Sequence, residues 1–215
     1  EQRDADSLLL ACWIGGTLVF ACFVNWSVNA RSVLPMAPAV GVLVARRWDA
    51  RSASASKRSS SWLACIALVP AFFVSASLAQ ADAELAESAR NAAREIRERY
   101  AHELPNVWFE GHWGFQFYMQ AWGAQPLDYR SFHLKLRDVL VIPHNSTNVK
   151  PLPKKTWEEV EIRDHTLRSR FATVNSEALA GFYASNFGIL PFAFGATATD
   201  RYDVLRIVQP VAARR

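Results

Sequence analysis

The chain has 215 residues, 51% hydrophobic and 20% charged, with a formal net charge of +4. That length admits one or two domains, and the averaged composition hides a division into two physical classes. The positive balance argues against a nucleic-acid partner because of where it lies: Arg46, Arg47, Arg51, Lys57 and Arg58 stand against Asp49 alone within residues 46–58, while everything from Gln80 onward is nearly balanced.

Three apolar blocks fill residues 7–79: Ser7 to Trp26, Ser32 to Ala45 and Trp62 to Ala79. A spanning helix needs about 20 mostly apolar residues, a standard the first and third blocks meet. The second, about 14 residues at about 1.5 Å each, gives roughly 21 Å and falls short. It spans if extended through Arg46, Arg47 and Trp48, whose long or amphipathic side chains sit at headgroup level; a re-entrant segment is the alternative. The expected segments are therefore about 7–26, 32–48 and 62–79. The basic loop, residues 46–61, carries the positive-inside signature and is expected in the cytoplasm. The hinge between the first two blocks and the domain after the third then share the extracytoplasmic side.

Cys12, Cys22 and Cys65 lie inside the apolar blocks and read as small buried hydrophobes, and the later domain contains no Cys. The chain opens at Glu1 without a basic n-region, so the first block does not read as a signal peptide. The expectation is the C-terminal portion of a longer membrane protein. Pro70 falls inside the third block, where a kink is expected.

From Gln80 to Arg215 the composition is that of a soluble α/β domain with a mixed sheet. Leu85, Ala89, Ala92, Ile96 and Tyr100 recur at helical spacing, and Pro105 ends the pattern. Val107 to Phe109 predicts a strand, Phe115 to Trp122 a helix closed by Gly123, and Val139 to Ile142 a strand buried on both faces. Trp157, Val160 and Ile162, then Leu167 to Val174, suggest further extended structure. Tyr202 to Val208 predicts the last strand.

Two places carry chemistry. In the hinge Asn25 to Pro38, Arg31 is the one charged residue; an Arg at a membrane boundary needs water, headgroups or an anionic partner. In Trp108 to Tyr118, Glu110 and His112 stand either side of Gly111, with Gly114 following, at a strand-to-helix junction, a setting that favours anions and close backbone approach. The neighbouring rings suit a sugar face, the core or the lipid interface. Glu110 and His112 also match an acid and base pair, but no Gly-flanked nucleophile accompanies them. The five His residues are too scattered for a structural zinc site, so no metal or cofactor is expected. The glycosylation-type triplets at Asn25 and Asn145 are too short to be informative. The second aromatic run, Phe182 to Phe192, reads as a loop packed on the domain or resting on the membrane surface.

Arg31-Ser32-Val33-Leu34-Pro35-Met36-Ala37-Pro38, between two apolar helices, resembles the late Arg-x-x-Leu-Pro-x-x-Pro segment of bacterial integral-membrane glycosyltransferases. These are the protein mannosyltransferase-like and aminoarabinose transferase-like enzymes that use polyprenyl-phosphate sugars. Trp108 to Gln116 and Phe182 to Phe192 resemble stretches in the extracytoplasmic C-terminal domain of such proteins. The resemblance implies an inner-membrane protein that transfers a sugar from a polyprenyl-phosphate donor to a cell-envelope acceptor at the outer membrane face. It places the catalytic carboxylate in an early outer loop, so no catalytic residue is expected in this chain. Arg31 becomes a candidate contact for the donor phosphate, with a headgroup anchor as its other reading. Glu110, His112 and Trp113 become candidate contacts to acceptor or sugar. The alternative function is a membrane-anchored binding or scaffold module that recognises an envelope glycan or protein.

Overall fold

The computed structural model describes residues 2–25, 29–52, 60–146, 149–195 and 199–213. Trp26 of the first apolar block and residues 53–59 of the basic loop lie outside them. The chain divides into two compact units, residues 1–79 with 171–194, and residues 80–170 with 195–215. Residues 171–194, assigned by sequence to the later domain, thus group with the apolar segments.

In chain order, helix α1 (Gln2–Val19) runs into a π-helical turn, Phe20–Val24, and the short α2 (Ala30–Val33) passes through a 3-10 turn, Leu34–Met36, into α3 (Ala37–Ser52). Helix α4 (Ser60–Tyr100) follows, then β1 (Val107–Phe109), α5 (Trp113–Trp122), β2 (Gln125–Pro126), β3 (His133–Leu134), β4 (Val139–Pro143) and β5 (Trp157–Thr166). The short strands β6 (Phe171–Ala172), β7 (Val174–Asn175), β8 (Ala180–Gly181) and β9 (Ala193–Phe194) precede β10 (Thr199–Ile207) and β11 (Val211–Ala212).

In the first unit, one helix among the described residues, Ala5–Val24, is long and apolar enough to cross a membrane. Its 20 residues at about 1.5 Å each match a hydrocarbon core of about 30 Å. Asp6 pairs with Arg46 at 2.9 Å, and the Trp13 indole N–H donates to the Pro35 carbonyl at 3.0 Å. Trp13 lies midway along the apolar helix, so the hinge folds back beside its second half and α3 begins near its middle. Helix α3 continues through Arg46, Arg47 and Trp48, the extension expected for the second block. Cys12 and Cys22, expected to be buried, are exposed. Little of the chain packs around α1, so its apolar surface faces outward, as Leu8, Phe20 and Phe23 also do. The side chain of Cys65 is outside the described set.

Pro70 does not end the third block. Helix α4 continues through it, joining the apolar block and the amphipathic stretch in one 41-residue element. Its residues to Ala79 belong to the first unit and those from Gln80 to the second.

The second unit is built on a five-stranded sheet in the order β2-β1-β4-β10-β5. Strands β2 and β4 flank β1 in parallel; β10 runs antiparallel to both β4 and β5. This is a mixed sheet, as expected from the succession of helices and strands. Side chains alternate across it. Val107, Phe109, Val139, Val141, Tyr202 and Val204 pack with Ala92, Ile96 and Tyr100 of α4 and with Phe115 and Met119 of α5. On the opposite face Leu140, Leu205 and Ile207 pack with Leu127, Phe132, Leu134 and Leu152 from loops and β3. Val139, Leu140 and Val141 are buried in succession, which explains their unbroken apolar run. Gly123 ends α5 in the left-handed region, φ 102°, where a side chain would be strained.

Candidate functional site

Alternation along β1 determines where Glu110 goes. Phe109 points into the helix-covered core, edge-on to Phe115 at 6.1 Å between ring centres. Glu110 extends the strand by one step, its N–H donating to Val141 O at 2.9 Å, and turns its carboxyl to the other face. It is 3% exposed there. The Lys150 N–H donates to Glu110 Oε2 at 3.1 Å and to the Tyr129 hydroxyl at 2.8 Å. The Lys150 ammonium lies 4.9 Å from the centre of the Tyr129 ring, within the range of cation-π attraction.

Glu110 Oε1, buried, has no hydrogen-bond partner within the described residues. Burial raises the Glu110 pKa, opposed by hydrogen bonds from Tyr129 and from the Lys150 N–H. Burial and the adjacent carboxyl also raise that of Tyr129. An unpaired buried acceptor costs about 1–3 kcal/mol, and it adjoins a cavity of about 490 Å³ whose walls include Glu110, Gly111, His112, Gln116, Tyr129, Arg130 and Lys150. The cavity wall is formed by a carboxyl, an imidazole, an amide and two cationic side chains, a lining suited to a polar ligand.

The chain reaches this arrangement through a strained corner. Gly111 has φ 100°, and a Cβ there would lie 2.6 Å from Pro143 Cγ, so the position accepts only glycine without movement. His112 is extended at the start of α5, and its N–H donates to Ser146 Oγ at 3.2 Å. Trp113 takes φ 59° and is 54% exposed. Glu110 and His112, paired by the sequence reading, therefore line one cavity, whereas Trp113 is not among its lining residues. The sequence reading missed Tyr129 and Lys150. Both come from irregular loops, and only the glycine-flanked Glu110 hinted that partners were needed.

A second buried cluster also went unread. Asp200, 2% exposed, accepts from Ser88 at 2.7 Å, from Tyr202 at 2.6 Å and from the Asn145 amide at 3.2 Å. Burial raises its pKa against those three hydrogen bonds. Every donor points at the carboxyl, so the cluster ties α4 to β10 and the loop after β4.

In the first unit, Asn29 caps α2: its Oδ1 accepts from the Ser32 N–H and hydroxyl, each at 3.0 Å, and Asn25 donates to Ser32 Oγ at 2.7 Å. The polar hinge residues satisfy one another and leave Arg31 exposed. The ion pairs formed by arginines within the described residues belong to Arg46, Arg99, Arg163, Arg201 and Arg206. The Arg31 N–H donates to Phe182 O at 3.3 Å, which joins the hinge to the second aromatic run. Among the described residues no group of three or more His, Cys, Asp or Glu side chains is placed to hold a metal ion. Comparisons of the chain with protein-family models, curated proteins and solved structures give no match.

Proposed function

We propose that this chain is the C-terminal part of a membrane glycosyltransferase that moves a sugar from a polyprenyl-phosphate donor to a cell-envelope acceptor. In this reading the segments near 7–26, 32–48 and 62–79 lie in the inner membrane, and the later domain is extracytoplasmic. The observation that carries it is Arg31: a guanidinium at a fold-back beside an apolar helix of bilayer length, with the neighbouring polar groups bonded to one another. A guanidinium fork suits two phosphate oxygens. The Glu110 cavity is the natural seat for a hydroxyl-bearing acceptor, with Glu110 and His112 as polar contacts in its wall. The reaction's carboxylate belongs, by the resemblance to such transferases, to an earlier loop.

The test is transfer from a polyprenyl-phosphate sugar by the full-length protein carrying Arg31→Ala or Arg31→Lys. Loss of activity in Arg31→Ala with partial retention in Arg31→Lys supports a phosphate contact. Full activity in both removes that role and leaves Arg31 an anchor.

A membrane-anchored binding module is the second reading. It is favoured by the Glu110 cavity, which is built wholly from residues of the second unit. Binding of envelope glycans by the protein without any turnover, abolished by Glu110→Gln, supports this reading over the first.

A further inference from the structure

Residues 171–194 contain one formally charged side chain, Glu177, in twenty-four positions. They fold as a small lobe closed at its base by β6 pairing with β9, and again by β7 pairing with β8. Leu190 N–H donates to Leu179 O at 3.0 Å, and Gly181 N–H donates to Leu190 O at 2.9 Å. The backbones meet closely: a Cβ on Gly188 would lie 2.1 Å from Leu179 O, and one on Gly181 2.2 Å from Gly188 O. This pairing fixes Leu179 beside the Ile189–Leu190 segment. Ile189 is 90% exposed, with Leu179, Leu190 and Phe194 also exposed. A rigid turn that presents large apolar side chains outward marks an interaction surface.

The lobe's place in the first unit indicates what covers that surface. Phe182 O accepts from the Arg31 N–H, and the hinge carrying Arg31 folds back along α1, where Trp13 reaches Pro35. The lobe is thus tied to the hinge that packs against the apolar helix, and Phe20, Phe23 and Val24 of that helix are likewise exposed. A charged or polar protein partner has little to pair with there; acyl chains and the headgroup boundary match apolar side chains on a nearly uncharged lobe.

We infer that the lobe 171–194 is a membrane-seated element, with Leu179, Ile189 and Leu190 inserted at the headgroup–acyl boundary beside α1. This rests on α1 crossing the bilayer, and the experiment separates the two. Cys12, Cys22 and Cys65 are replaced by Ala in the full chain, which is reconstituted in phosphatidylcholine–phosphatidylglycerol vesicles. An environment-sensitive fluorophore is attached at Ile189→Cys, Leu179→Cys or Phe20→Cys, the last reporting on the apolar helix Ala5–Val24 itself. Blue-shifted emission at 179 and 189, quenched by brominated lipids and shielded from iodide, is the expected result. Quenching at 20 with water-like emission at 179 and 189 overturns the membrane seat while α1 still spans. Blue-shifted emission at 179 and 189 without lipid quenching also overturns it, assigning the surface to a protein contact. Absence of lipid quenching at all three positions overturns the spanning reading and the inference together. Leu179 and Ile189 are exposed, so labelling there spares the fold.

Discussion

Lys150 donates its main-chain N–H to the buried carboxyl of Glu110 across 40 residues of sequence, at 3.1 Å. It satisfies Oε2, while Oε1 is buried without a hydrogen-bond partner among the described residues. The carboxyl is therefore half provided for, an exception to the rule that buried polar groups are hydrogen-bonded.

Glu110→Gln tests that condition through pH. Burial holds the folded pKa above the ordinary 4.5. The folded state therefore binds its proton more tightly than the unfolded state. The stability this gives is fully present below about pH 4.5 and is lost as pH rises through the raised folded value. Glu110→Gln keeps a carbonyl for the Lys150 N–H but cannot ionise. Thermal melts of the second unit from pH 4 to 8 are expected to fall less steeply for the variant than for the native chain. Equal slopes would show that the carboxyl is not buried in solution.

Asp200 gives a structural counterpart. Asp200→Ala removes the acceptor of Ser88, Tyr202 and Asn145 together and is expected to cost about 3 kcal/mol, the scale set by buried donors left unpaired. Asp200→Asn retains one acceptor, is expected to cost less, and flattens the pH dependence in the same direction as Glu110→Gln, because burial raises this carboxyl too. Denaturant titration monitored on the second unit measures both.

Phe109→Ala removes a ring that is 1% exposed and packed against Phe115. A loss of about 3–5 kcal/mol is expected for such a core deletion. Phe115→Leu removes less of the buried side chain and should cost less. If the two variants melt together, Phe109 is not part of the core that positions Glu110.

Gly188→Ala places a methyl group where Leu179 O already lies and also forbids φ 148°. The lobe 171–194 is expected to lose hydrogen-exchange protection at Gly181 and Leu190, with the five-stranded sheet unchanged. Undiminished protection would show that the close approach relaxes at little cost.

The elements legible in the sequence were those whose burial is written locally. Val139 to Ile142 announced a strand buried on both faces, and Gly123 announced a helix end, because each signal lies in a few adjacent residues. Helix α4 was read as two pieces, since the apolar pattern changes character near Gln80; hydrogen bonding within a helix continues across such a change. At the site, Glu110 and His112 were legible from their glycine-flanked corner. Tyr129 and Lys150 were not, because loops that converge through tertiary packing have no period. The lobe 171–194 escaped for a related reason: its strands are two residues long, and its grouping rests on contacts such as Arg31 with Phe182.

Strand β5 is the outermost of the five, with β10 on one side and, among the described residues, no strand on the other. Ten residues of unpaired edge are a template for adding a foreign strand, the usual start of edge-to-edge aggregation. Its sequence, Trp-Glu-Glu-Val-Glu-Ile-Arg-Asp-His-Thr, carries five formal charges, and the register against β10 shifts at Val204/Leu205. An incoming chain would have to strip water from those charges and match an irregular rim. The composition of β5 therefore opposes strand addition on that side, and substitutions that neutralise Glu158, Glu159 and Asp164 together would favour it.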